Sequence, residues 1–206
     1  MTREVVFFES LFKGSKWTWL FGYLFHFGML LVLLRHFRYF TQPVWYWVET
    51  LQWLGLYAAF AMTLGLAGLL ARRFLVDRVR YISAPSDYLM LVLLLAIALS
   101  GLAMKYVWHT DIVALKAFML GVMYFDWQPL PADPMLLIHL SLVLFLMLIF
   151  PFSKLLHAPG MFFSPTRNMR DNPREHRHVA PWAEKLGAEK LGAKQPGSAA
   201  TSRAAD

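Results

Sequence analysis

The sequence predicts an all-α membrane protein, with four transmembrane helices in a bundle and both termini on the cytoplasmic side. Three observations carry this expectation. The chain has 206 residues, 58% of them hydrophobic, with a mean hydropathy of +0.45, too apolar for a soluble domain. Four apolar stretches, at about 17–37, 45–70, 88–107 and 135–155, are each long enough to cross a hydrocarbon core of ~30 Å as a helix. The basic residues are gathered beside these stretches: Arg72, Arg73, Arg78 and Arg80 stand against Asp77 in the connection 71–81, and most of the rest follow Phe150. Positive charge retained on the cytoplasmic side places that connection and the tail inside, and the turn 38–43 and loop 108–134 outside. The net charge of +7 is thereby explained as topology, not as nucleic-acid binding.

Taken in order, residues 1–16 mix Arg3, Glu4, Glu9, Lys13 and Lys16 with Val5, Val6, Phe7, Phe8, Leu11 and Phe12, the pattern of a short amphipathic segment lying at the membrane interface. Residues 17–157 form the membrane domain. Its outer loop contains an apolar run, 112–124, expected to fold as a short helix against the outer surface as a lid over a site, and Pro129, Pro131 and Pro134 break the chain before the last span. Residues 158–182 are rich in Pro, Arg and Asn, with Arg167, Arg170, Arg174 and Arg177 against Asp171 and Glu175, and read as a cytoplasmic docking segment. Residues 183–206, with the near-repeat EKLGAEKLGAK, read as a disordered tail.

The chemistry-bearing residues are histidines. The chain has no cysteine, which excludes iron–sulfur clusters held by this chain and covalently attached c-type haem. His26 and His36 lie ten residues apart in the first span, and His139 and His157 eighteen apart in the last. On helices these spacings correspond to about 15 Å and 27 Å of rise and keep each pair on one broad face. If the two helices run antiparallel, matching by depth pairs His36 with His139 near the outer surface and His26 with His157 near the inner one, with pair centres about 20 Å apart. Two such pairs suit two stacked bis-histidine haems. Zinc is a poorer occupant, because two histidines without a neighbouring Cys, Asp or Glu leave its shell incomplete. A proton-coupled carrier is disfavoured by spans almost free of carboxylates; a haem-free anchor for a soluble subunit remains the alternative. His109, His176 and His178 fall in loop or tail.

The same residues resemble a known family. The two histidine spacings, RRFLVDRVR at 72–80 and HLSLVLFLMLIFPFSKLLH at 139–157 are similar to the gamma, cytochrome b, subunit of respiratory nitrate reductase, while FFSPTRNMRDNPREHRH at 162–178 resembles the related DsrM subunit of the membrane complex associated with dissimilatory sulfite reductase. The resemblance implies two haems b, the outer held by His36 and His139 and the inner by His26 and His157. It also implies a membrane quinone as substrate, other subunits of a membrane complex of the DsrMKJOP or nitrate reductase kind, and a cytoplasmic iron–sulfur partner resembling the catalytic subunit of heterodisulfide reductases. The chain would then be the electron-transfer subunit of a quinone-linked oxidoreductase in a bacterial inner membrane. The family's quinol-site lysine falls near Leu51, so Tyr46, Glu49 and Gln52 are the residues expected around a quinone. Haem propionates need cations, and Arg35 or Arg38 at the outer end and Arg72 or Arg73 at the inner end are placed to supply them.

Overall fold

In the computed structural model of the chain, residues 6–157 are described, and nearly all of them are helical. They belong to a body that ends at Leu155 and to a second unit, Leu156–Asp206, of which only Leu156 and His157 are described. The docking segment 158–182 and the tail 183–206 lie outside the described residues, as do the first five residues of the interfacial segment. Eight α-helices follow in order among the described residues: α1 (Glu9–Gly14), α2 (Lys16–His36), α3 (Tyr46–Thr50), α4 (Gln52–Leu75), α5 (Asp77–Ile82), α6 (Pro85–Ala103), α7 (Ile112–Tyr124) and α8 (Pro134–Ile149). With their terminal turns, α2, α4, α6 and α8 are the four helices long and apolar enough to cross a membrane, and α7 is the short apolar helix expected in the loop before the last of them. The chain is a multi-pass membrane protein.

Local chemistry sets where these helices begin. Ser15 caps α2, its Oγ accepting from the Thr18 N–H at 3.5 Å and the Thr18 hydroxyl at 3.0 Å. Pro85 stands in the first turn of α6, and Asp87 accepts the Ala84 N–H at 3.0 Å. Asp111 caps α7 through the Val113 and Ala114 N–H groups. Asp133 caps α8 through the Met135 N–H at 2.9 Å, with Pro134 next to it.

The ends were harder to read. The second span continues to Leu75 and so carries Arg72 and Arg73 in its last turn. The third closes on a π-helical turn, Met104–Trp108, after which His109 takes a left-handed conformation. The last span stops at Ile149, six positions before the expected end at 155, and continues as 3-10 turns at Phe150–Phe152 and Lys154–Leu156. Pro151 explains this break, since it has no N–H for the carbonyl one turn back and disfavours helix at the residue before it. His139 and His157 are therefore not on one continuous helix, and the helical spacing expected between them does not extend past Ile149.

Antiparallel packing of α2 on α4 is the closest in the body. A Cβ at Gly28 would lie 2.8 Å from the Ala58 carbonyl oxygen, and one at Gly65 would lie 2.6 Å from the Phe25 nitrogen. Small residues at such crossings let backbones touch where lipid offers no hydrophobic drive to association. Phe25, Met62, Leu66 and Ala98 form the buried core of α2, α4 and α6, with Met29, Leu69, Leu91, Leu94 and Leu95 packed around it. Extensive packing then runs in chain order, α2 on α4, α4 on α6 and α6 on α8, and the pair α2 and α8 is not among those that pack extensively. No more than 22% of any span is buried by the rest of the chain, and only 6% of the last. Most of the apolar surface is thus left for lipid, cofactor or partner.

At the start of the chain, the segment before α2 folds back along it. The Trp19 Nε1–H donates to the Phe7 carbonyl at 2.7 Å, Phe12 stacks edge-on against Trp19, and Phe8 lies edge-on 5.3 Å from the His26 ring. The segment therefore reaches a ring ten residues inside α2.

Candidate functional site

The first and last membrane helices carry the histidines, and the ring nitrogens show what these can do. In α2 the Nδ1 of His26 lies 2.7 Å from the Gly22 carbonyl oxygen and that of His36 lies 2.6 Å from the Val32 carbonyl oxygen. A carbonyl only accepts, so Nδ1 is the protonated nitrogen of each ring and Nε2, in the neutral ring, holds the lone pair. In α8 the Nδ1 of His139 lies 2.8 Å from the Ser100 Oγ of α6, and that Oγ also lies 2.9 Å from the Ile97 carbonyl oxygen. Serine has one hydroxyl proton. The Ser100 hydroxyl donates to the Ile97 carbonyl, which is also a hydrogen-bond partner of the His139 ring, so the ring meets acceptors at Nδ1 and its Nε2 is likewise the lone-pair nitrogen. All three rings are thus fixed in the tautomer that ligates a metal through Nε2, each with its outer nitrogen held in the manner of a ligand's supporting hydrogen bond.

His36 and His139 lie within electrostatic reach of each other, although their helices do not pack extensively. His36 is exposed and His139 half-buried. His26 is half-buried lower in α2, flanked by Phe8 and by Phe25 at 4.6 Å. His157 is exposed and belongs to the second unit. Among the described residues no group of three or more His, Cys, Asp or Glu is arranged to hold a metal ion. A bis-histidine haem asks for two imidazoles and no carboxylate, so the donor set at His36 and His139 fits that group.

Around the same end of the helices the arginines converge. The Arg35 Nε–H and an Arg38 NH1 group both donate to the Gln52 Oε1, at 3.0 Å and 3.1 Å, and the Gln52 Nε2 donates to the Val48 carbonyl. The Arg35 stem lies over Gly55, where a Cβ would come within 2.8 Å of it. Arg38 also stands 5.7 Å over the Tyr39 ring, and Tyr39 and Tyr106 are the phenols within electrostatic reach of Arg35. Among the described residues neither guanidinium forms an ion pair. Two cations facing a single neutral amide leave a local excess of positive charge suited to a carboxylate.

At the opposite end the arrangement differs. Arg73 donates to the Ser83 hydroxyl at 2.6 Å and pairs with Asp87 at 3.5 Å, and Lys154 pairs with the other Asp87 oxygen at 3.0 Å. Arg72 donates to Ser15 at 3.2 Å. Of the residues expected at a quinone, Gln52 turns to the arginines, whereas Tyr46 is 83% exposed and Glu49 is also exposed, so the three do not close into one pocket. Sequence reasoning missed Ser100, whose signal was available: it is the one hydroxyl in the apolar run between Tyr88 and Lys105. The Arg73–Asp87–Lys154 network joins three helices and has no signal in local spacing.

Comparison with known proteins follows the same lines. The nitrate reductase gamma subunit family matches residues 10–178. The chain is 41% identical over 209 residues to the Hdr-like menaquinol oxidoreductase cytochrome b-like subunit of Archaeoglobus fulgidus, covering 88% of this chain and 63% of that protein. It is 38% identical over 187 residues to the subunit of the same name from Archaeoglobus profundus, covering 82% of this chain and 54% of the relative. The chain thus spans little more than half the length of these curated relatives. No solved structure matches it.

Proposed function

The chain belongs to the nitrate reductase gamma subunit family, and on that premise we propose that it is the membrane dihaem cytochrome b of a quinol-oxidising complex in the cytoplasmic membrane, with both termini inside. The observation that carries this reading is the common state of the histidines: on the first and last membrane helices, Nδ1 is committed as a donor and Nε2 is left as the lone-pair nitrogen. His36 and His139 would hold an outer haem, and the family resemblance assigns His26 and His157 to an inner one. When bound, such haems supply one-electron exchange between iron(II) and iron(III).

The chain's own residues do the rest. Arg35 and Arg38 would hold carboxylate groups of the outer haem through the excess positive charge at Gln52. At the inner end Arg72, whose partner is a neutral hydroxyl, is the better candidate than Arg73, whose charge already faces Asp87. A quinol reaching the outer end would meet Gln52, and the exposed carboxylate of Glu49 beside Tyr46 would take a proton released on oxidation. The names of the curated relatives support menaquinol as the donor class. The cytoplasmic acceptor is proposed to be an iron–sulfur subunit of the heterodisulfide reductase type within a sulfur-metabolising, DsrMKJOP-like complex, received by residues 158–182.

Purified from haem-replete cells, the full chain should carry two haems b per polypeptide by pyridine haemochrome assay, and a menaquinol analogue should reduce them. A folded but colourless preparation overturns the proposal and favours a haem-free anchor. Removing residues 165–206 should leave the haems in place and weaken co-purification of the iron–sulfur subunit.

A further inference from the structure

Ser100 is the only polar side chain among the described residues that is buried, at 7% exposure, in a helix surrounded by apolar groups. Serine in a membrane helix ordinarily satisfies itself by donating to its own backbone, as Ser141 does to the Leu137 carbonyl at 2.7 Å. Ser100 does this too, to Ile97, yet it also reaches a ring on another helix. His26 and His36 by contrast are held by carbonyls of their own helix, four residues back. The seat for the His139 ring is completed by Gly101, where a Cβ would stand 3.3 Å from the His139 Cε1.

We propose that Ser100 is the positioning residue of the outer redox centre, fixing the tautomer and orientation of the His139 ring and setting its strength as a donor through Nδ1. This inference rests on the reading that His139 ligates a haem. The hydroxyl proton engaged by Ile97 O polarises the Ser100 oxygen and makes it a better acceptor for the Nδ1–H. An imidazole whose N–H is accepted in this way gives more electron density through Nε2 and favours the oxidised metal. The outer centre is therefore tuned across the α6–α8 contact, while the His26 ligand is tuned within a single helix and is indifferent to that contact.

The test uses the full chain with Ser100→Thr, Ser100→Val and Ser100→Ala, measuring haem per polypeptide, the midpoint potentials of both centres and their ferric electron paramagnetic resonance signals. Threonine keeps the acceptor, and valine keeps the volume without it. Ser100→Val and Ser100→Ala should each shift the outer midpoint upward and move its ferric signal, with the inner centre unchanged, and Ser100→Thr should match the unmodified chain. If valine and threonine variants give the same midpoint and the same signal, Ser100 is a packing residue and the inference fails. Because that pair shares shape, a loss of folding common to both is separated from the loss of the acceptor, and Ser100→Ala then reads the acceptor alone. An unmodified chain without haem would instead overturn the underlying reading.

Discussion

At one end of the membrane helices Arg35 and Arg38 share a single amide oxygen of Gln52, whereas at the other Arg73 faces Asp87, which Lys154 also holds. The first end is rich in uncompensated positive charge and borders the imidazoles of His36 and His139. The second sets one carboxylate between two of its cations and ties α4, α6 and the chain after α8 together. A charge in or near hydrocarbon costs several kcal/mol unless a partner answers it. The comparison separates cations answered by a carboxylate of this chain from cations that share a neutral amide.

The largest effect that would sharpen this contrast is loss of a haem ligand. His36→Ala and His139→Ala should each leave one haem per polypeptide, with the same centre missing from both spectra. His26→Ala should remove the other centre. If His26 and His36 variants lost the same centre, the division of the molecule into two ends would be wrong.

Next comes the charge contrast itself. Arg35→Gln and Arg38→Gln should each weaken retention of the outer haem by about 1.5–3 kcal/mol, the worth of a hydrogen bond to a charged group, and lower its midpoint by removing a nearby positive charge. Arg73→Gln should leave haem content and both midpoints in place, because its partner is a residue of this chain. Haem titration of the apoprotein with potentiometry of the loaded chain separates these cases. An equal loss from Arg73→Gln would erase the distinction between the two ends.

Much of this arrangement was legible in the sequence. Apolar runs of span length located α2, α4, α6 and α8, and the run 112–124 located α7, because hydrocarbon demands continuous apolar helix. Arg35 and Arg38 were visible as charges on the side where the charge rule expects positive residues to be sparse. What composition hid was direction and partnership. The pairing of Arg73 with Asp87 depends on how two helices meet, and Asp87 and Ser100 read as ordinary polar residues until a neighbour is seen. The stop at Ile149 was available from Pro151, but the strongly apolar run masked it. The folding of the first residues back onto Trp19 and His26 had no periodic signal at all.

A smaller effect tests the end that carries the Asp87 network. Asp87→Asn removes the carboxylate from between Arg73, 28% exposed, and Lys154, 69% exposed, while keeping an acceptor for the Ala84 N–H. Partly solvated pairs contribute little, so stability should fall by about 0.5–1 kcal/mol, read as a modest drop in the thermal midpoint in detergent. Haem content should not change. Loss of either haem from this variant would mean that the network positions a cofactor as well as the fold.

The smallest effect concerns the loop between α6 and α8, outside the spans. The Thr110 hydroxyl donates to the Asp133 carboxylate, and this hydrogen bond, with those from the Met135 and Leu136 N–H groups, holds the acid below its usual 3.8 against the weaker opposing effect of burial. The sign follows from that depression: the folded chain favours the ionised form, so the contribution is present in full above the ordinary carboxylate range and is lost as pH falls through the lowered value. Asp133 caps the helix that carries His139 six residues further on. Between about pH 5 and 8 hydrogen exchange of the segment 110–136 should therefore be flat apart from its intrinsic pH dependence, with protection declining only in more acid solution. Thr110→Val should move that decline to higher pH, because the acid then titrates nearer its ordinary value. A decline centred near neutrality would take Asp133 out of the control of this segment.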